Sequence, residues 1–140
     1  MKRKNIKIIK VKKFIDNRGK VIKMISKKDN HFSKFGEIYF STINVGKIKA
    51  WRMHKKNTCN IFLLKGKVVL IILKNNKLKK IVLNENQNKL VVIPNNYWIG
   101  FKNIGKLEAI IANFMNNVHS ELEVERINSN FFKKIDWKKL

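Results

Sequence analysis

Apolar residues in this chain occur in short runs or alternate with polar ones, and the runs break at Gly and Asn roughly every 10 residues. Amphipathic helices would instead repeat apolar positions three and four apart over longer windows. The pattern predicts strands at Ile6–Phe14, Lys20–Ile25, Glu37–Asn44, Ile48–His54, Asn60–Leu64, Lys67–Leu73, Lys79–Leu83, Lys89–Ile93, Trp98–Asn103 and Glu108–Phe114. Many short strands without an intervening helical rhythm predict an all-β sandwich or barrel.

Within that series, Val68–Leu73 is apolar without alternation, so both of its faces should be covered, inside a sandwich or at an interface between two copies. Asn75-Asn76 follows, then a returning strand, and asparagine tolerates the positive φ that a two-residue hairpin turn requires. Pro94-Asn95-Asn96 reads as a second turn, with the only proline just past a strand, where a missing N–H does least harm. Ser33–Phe35 and Glu121–Arg126 carry weak helical signals. In the second stretch Glu121, Glu123 and Glu125 alternate with Leu122 and Val124, a period of two that suits an extended edge equally well.

With 140 residues the chain fits one domain, residues 1–140, and its 44% hydrophobic content is enough to fill an interior despite the charge. The net charge of +23, from 32 Lys+Arg against 9 Asp+Glu, raises the question of a polyanionic partner. Almost all of it is lysine, scattered among Asn and Ile, and arginine occurs only at Arg3, Arg18, Arg52 and Arg126. Readers of nucleic-acid grooves favour the arginine fork. A solvated lysine surface is therefore the expectation, with no nucleic-acid partner.

The basic start has lysines interrupting its apolar residues, so neither a signal-peptide core nor a membrane span is predicted, and the expected location is the cytoplasm. A lone Cys59 excludes an intrachain disulfide, and His31, His54 and His119 lie too far apart for a zinc motif, so no metal or cofactor is expected.

Chemistry concentrates in Lys49-Ala-Trp-Arg-Met-His-Lys-Lys56. Strand alternation puts Ala50, Arg52 and His54 on one face and Lys49, Trp51 and Met53 on the other. An arginine and a histidine two residues apart do not belong in a dry core; they line a polar cavity or guard an exposed edge. Asp16-Asn-Arg-Gly19 is ordinary turn vocabulary, but its guanidinium could also fork onto a diphosphate. His119 on its own reads as a surface loop histidine, and Cys59, Trp51, Trp98 and Trp137 as packing residues.

In order along the chain, Asp16-Asn-Arg-Gly19, Phe35-Gly-Glu-Ile-Tyr-Phe-Ser41, Lys49–Lys56, the strand start at Gly66-Lys-Val, Pro94-Asn-Asn-Tyr-Trp-Ile-Gly-Phe101 and the tail Ile127–Trp137 resemble the dTDP-4-dehydrorhamnose 3,5-epimerase family, especially its shorter members. Related sugar 3,4-ketoisomerases share the same fold. The resemblance implies a cupin-type double-stranded β-helix (jelly roll), a homodimer, a nucleotide-diphosphate sugar as ligand, no metal, and a role in making sugars for surface polysaccharides.

Carried over by position, the family's diphosphate-binding arginine matches Arg18, and its R-G-x-H segment with the catalytic base falls on Lys49-Ala-Trp-Arg52. His54 matches a second histidine that short relatives carry two residues later, the family's acid tyrosine falls near His119, and Ile99 replaces another family histidine. The C-terminal aspartate that orients the base in longer members has no evident counterpart. Arginine cannot serve as the base, because its pKa exceeds about 12. The resulting assignment is His54 as base, Arg52 as charge stabiliser and His119 as acid, with Arg18, Lys49 and Lys56 binding substrate. A non-catalytic cupin that binds a nucleotide sugar, and a polyanion-binding domain, are the competing readings.

Overall fold

The computed structural model describes residues 4–140; the basic start at Met1, Lys2 and Arg3 lies outside the described residues. The strands are β1 (Lys7–Lys10), β2 (Lys12–Asp16), β3 (Gly19–Lys23), β4 (Glu37–Ile43), β5 (Ile48–His54), β6 (Cys59–Lys65), β7 (Lys67–Lys74), β8 (Lys77–Asn84), β9 (Lys89–Ile93), β10 (Trp98–Asn103), β11 (Ala109–Met115) and β12 (Val124–Arg126), followed by one 3-10 turn at Trp137–Lys139. They form two five-stranded antiparallel sheets, β1-β9-β6-β11-β4 and β12-β5-β10-β7-β8, and a separate hairpin β2-β3. From β4 onward the chain steps back and forth between the sheets, the crossing pattern of a jelly roll, and the fold is all-β and cupin-like.

Each sheet turns one face inward. Ile43, Ile61, Leu63, Val91, Ile93 and Ile111 of the first sheet meet Val68, Leu70, Ile72, Ile81, Leu83 and Ile99 of the second in one buried cluster. Fully burying such a side chain is worth about 1.5–3 kcal/mol, so this layer holds the sandwich together. The alternate residues of β7, Val69, Ile71 and Leu73, are also buried, on the outer face of the second sheet under Trp137 and the partly buried Phe132 and Ile135. The cover that the unbroken apolar run demands is thus the chain's own C-terminal segment. Trp51 Nε1 and Trp137 Nε1 both donate to the Ser129 carbonyl, at 3.1 and 2.9 Å, which fastens that segment down.

Turn chemistry follows the residues. Asn75 and Asn76 take φ of 48° and 62° between β7 and β8, as a two-residue hairpin of this kind demands, and Asn96 takes 65° after Pro94. The predicted Ile6–Phe14 strand is two strands, because the chain follows β9 as far as Val11, whose N–H meets the Asn88 carbonyl in the same register and whose side chain joins a second small core with Phe62, Leu90 and Val92, and from Lys12 onward it pairs with β3 instead. Ser33–Phe35 forms no helix. The acidic stretch ends in a strand, β12, paired to β5 with Val124 opposite His54 and Arg126 opposite Arg52.

One irregularity shapes the site. Between β5 and β10 the register shifts: Ile99 faces Arg52 but Phe101 faces Lys49, so two residues of β5 stand against Gly100 alone. That is a bulge. A side chain at Gly100 would meet Trp51 Cζ3 at 2.8 Å and Ala50 Cβ at 2.9 Å, so only glycine lets the bulged strand lie this close.

Candidate functional site

A cavity of about 460 Å³ opens between the sheets where β4 and β5 face each other. Its polar lining is Tyr39, Ser41, Lys49, Arg52, His54, Asn113 and Arg126, and its apolar lining includes Ile61, Ile99, Phe101 and Ile111. Strand alternation explains Arg52 and His54. The bulge explains Lys49, which strict alternation assigns to the opposite face: the extra residue returns its side chain to the cavity, where Nζ donates to Ser41 Oγ at 3.0 Å.

His54 is 3% exposed and its Nδ1 lies 2.9 Å from Glu123 Oε2. The other oxygen, Oε1, accepts the backbone N–H groups of Asn57 at 2.7 Å and Lys56 at 3.0 Å. Burial by itself would raise the Glu123 pKa, but these hydrogen bonds from His54, Asn57 and Lys56 outweigh it and hold the carboxyl below its usual range. An ionised Glu123 obliges His54 to carry its proton on Nδ1, leaving Nε2 as a bare lone pair. Burial also disfavours the imidazolium and moves the His54 pKa below its ordinary 6.5, against the pull of Glu123. The result is a neutral, oriented histidine on the cavity wall. A carboxylate on the turn that leads into β12 thus holds the His54 ring in one orientation.

Across from His54, on β4, stands Tyr39. Its hydroxyl accepts a hydrogen bond from Asn113 Nδ2 at 2.8 Å. Burial raises its pKa above 10.0, partly offset by the Asn113 hydrogen bond and by Arg52. Tyr39 was missed in the sequence because Phe35–Ser41 reads as a plain amphipathic strand. Alternation from Ile43, which is buried, would have put Tyr39 and Ser41 on the inner face.

Other sequence-based assignments are placed elsewhere. His119 lies outside the cavity lining: the chain turns outward at Asn116-Asn117, and the His119 ring meets Glu121 Oε1 at 2.8 Å while its N–H donates to Glu37 Oε1. Glu121 also binds Arg126, and with hydrogen bonds from His119 and Arg126 its pKa is held down at about 2. Lys56 contributes its backbone N–H to Glu123, while its side chain is exposed and does not line the cavity. Arg18 sits at the β2-β3 turn, 85% exposed and paired to Asp16 at 2.7 Å, also away from the cavity of its own chain. Cys59 is fully buried, which pushes its thiol up to about 12 and removes it as a nucleophile. Among the described residues no His/Cys/Asp/Glu group is arranged to hold a metal ion, and no helix is long and apolar enough to cross a membrane.

Compared with known families, residues 4–135 match the model described as WxcM-like, C-terminal (FdtA). The chain belongs to that family. Among solved structures, this family member is similar to a dTDP sugar isomerase from Desulfovibrio desulfuricans G20, at 25% identity and a TM-score of 0.91 over 96% of this chain and 92% of that one. It shares its fold with a dTDP-4-dehydrorhamnose 3,5-epimerase from Sulfolobus tokodaii, with 23% identity, TM-score 0.81, and 94% and 80% of the two chains covered. The same holds for a sugar 3,4-ketoisomerase from Thermoanaerobacterium thermosaccharolyticum in complex with TDP, with 20% identity, TM-score 0.78, and 99% and 98% covered. No curated protein matches the family member by sequence.

The pKa direction of His54 sets a stability test. Its folded value is depressed, so the unfolded chain takes up the proton first, and stability is present above about pH 6.5 and declines as pH falls below it. Urea unfolding from pH 8 to pH 5 should show this decline, and the slope should be smaller in His54→Asn. Glu123→Ala strands the Lys56 and Asn57 N–H groups and His54 Nδ1, and should cost about 1–3 kcal/mol at pH 7.5.

Proposed function

We propose that the protein is an isomerase of nucleotide-linked 4-keto-6-deoxyhexoses that moves protons beside the ketone. The observation that carries the reading is the pair of proton carriers on opposite cavity walls: His54, oriented by Glu123, and Tyr39. Membership in the family and likeness to a dTDP sugar isomerase support the substrate class. Removing an α-proton from a ketone needs a base, a positive group at the oxygen that gains charge, and an acid to return a proton. In this reading His54 Nε2 takes the proton on carbon, and the C–H electron pair moves into the carbonyl, giving an enolate. Arg52 and Lys49 stabilise that oxygen. Tyr39, rather than His119, delivers a proton to the opposite face of the ring, and the ketone re-forms. The phenolate and imidazolium left behind are reset by exchange with solvent.

The same reading makes the active unit a homodimer in the cytoplasm, its product entering surface-polysaccharide sugar synthesis. Phe14, Ile15 and Val21 on the hairpin and Ile38 and Phe40 on β4 are exposed apolar residues suited to a contact between copies. Arg18, at the hairpin tip and outside its own chain's cavity lining, then binds the diphosphate in the partner's cavity.

Incubated with TDP-4-keto-6-deoxyglucose in D2O, the wild type should place deuterium on ring carbon next to the ketone, read by NMR. Epimerisation labels C3 or C5; ketoisomerisation yields a 3-keto product labelled at C4. His54→Ala should lower exchange by at least about 10²-fold, as loss of a general base does. Binding without any exchange would make the protein a non-catalytic nucleotide-sugar cupin. A second experiment tests the shared site. Mixing inactive Arg18→Ala and His54→Ala proteins should restore activity through mixed dimers holding one intact site; no restoration would place Arg18 with its own chain or outside the site.

A further inference from the structure

Asn113 is buried at 4% exposure in the middle of β11, directly across the ladder from Tyr39. An asparagine amide has an acceptor end and a donor end, and here its surroundings fix which is which. Asn113 Oδ1 accepts the backbone N–H of Asn60 at 3.1 Å. That N–H can only donate, so it holds the oxygen toward β6 and turns Nδ2 toward Tyr39 at 2.8 Å. Nδ2 is donor-only as well, which makes the tyrosine oxygen the acceptor. With a donor-only group directed at its oxygen from the strand beside it, the Tyr39 hydroxyl finds no acceptor in that amide, and its proton is left to point into the cavity.

We infer that Asn113 is a positioning residue that dictates the direction of the Tyr39 hydroxyl, aiming its proton at the substrate and holding the phenolate formed when that proton leaves. The inference deepens the reading of Tyr39 as the acid and rests on it. It explains why the interior layer of a sandwich otherwise filled by Ile61, Ile93 and Ile111 keeps a buried amide at this position. A buried amide is costly unless its hydrogen bonds are made, and both ends of this one are used.

Asn113→Asp has nearly the same shape but reverses the second bond. One carboxylate oxygen still accepts from Asn60, while the other must accept from Tyr39, drawing the hydroxyl proton away from the cavity and opposing the phenolate by like charge. The chain has two tyrosines, Tyr39 and Tyr97, so tyrosine labelled with 13C at Cζ gives two signals, Tyr97 serving as reference. The Tyr39 titration midpoint should rise by about one unit or more in Asn113→Asp. An unchanged midpoint would overturn the inference. Neutron diffraction from wild-type crystals in D2O reads the same point without a variant: the deuteron on Tyr39 should point into the cavity, and a deuteron lying between Tyr39 and Asn113 Oδ1 would overturn it. Neither readout uses activity, so absence of proton exchange on keto-sugars would sink the functional reading while leaving this one to stand or fall by itself.

Discussion

A carboxylate taken out of water must be surrounded by donors, or it takes up a proton. Glu123 finds three donors, and each ties together parts of the chain far apart in sequence. Its bond to His54 fixes the last residue of β5; its bonds to the N–H groups of Lys56 and Asn57 close the turn that follows. The backbone reinforces the link, with the Lys55 N–H on the Glu123 carbonyl at 2.8 Å and the Asn57 side chain accepting the Asn117 N–H at 2.8 Å. Gly36 completes it: a Cβ there would fall within 2.3 Å of the Asn117 backbone, so the segment leaving β11 can turn outward only against a glycine. One buried charge thus holds the His54 ring, its tautomer and the edge strand β12 in place.

The remaining charges are laid out around that fixed point. Lys49, Arg52 and Arg126 all line the cavity, and of these Arg126 is paired, to Glu121. Among the described residues no carboxylate lies within 4.0 Å of Lys49 or Arg52. Both side chains are solvent-exposed on the cavity wall and unneutralised, which leaves them free to meet negative charge on a bound oxygen in the proposed chemistry. The proposed chemistry divides accordingly between the walls: the second sheet supplies base and cations, the first supplies the hydroxyl.

Most of the fold was legible because its local signals agree with one another. The bounds of Ile48–His54, Lys89–Ile93 and Trp98–Asn103 coincide with β5, β9 and β10, and the Asn75-Asn76 turn sits where the apolar run required it. The site was legible only in part. His54 and Arg52 stood out as polar residues on a strand that should bury one face. Lys49 was put on the wrong face because a bulge opposite Gly100 leaves no trace in alternation. Glu123 stayed ambiguous because three alternating glutamates look alike, and it is the turn closed by the Glu123 N–H on the Ser120 carbonyl, just before β12, that breaks the alternation, burying Glu123 and leaving Glu121 and Glu125 outside. Tyr39 and Asn113 gained meaning only as cross-strand partners, a relation between positions 74 residues apart.

The central claim is that Glu123 makes His54 a neutral base with its free lone pair on Nε2. Nitrogen-15 NMR of histidine-labelled protein at pH 7 tests it directly, since the chain has three histidines and the His54→Asn spectrum assigns the signal. The account predicts a protonated Nδ1 and an unprotonated Nε2 for His54, converting in Glu123→Gln to a different tautomer or to a mixture. A wild-type His54 that is an imidazolium at pH 7, or that carries its proton on Nε2, would contradict it.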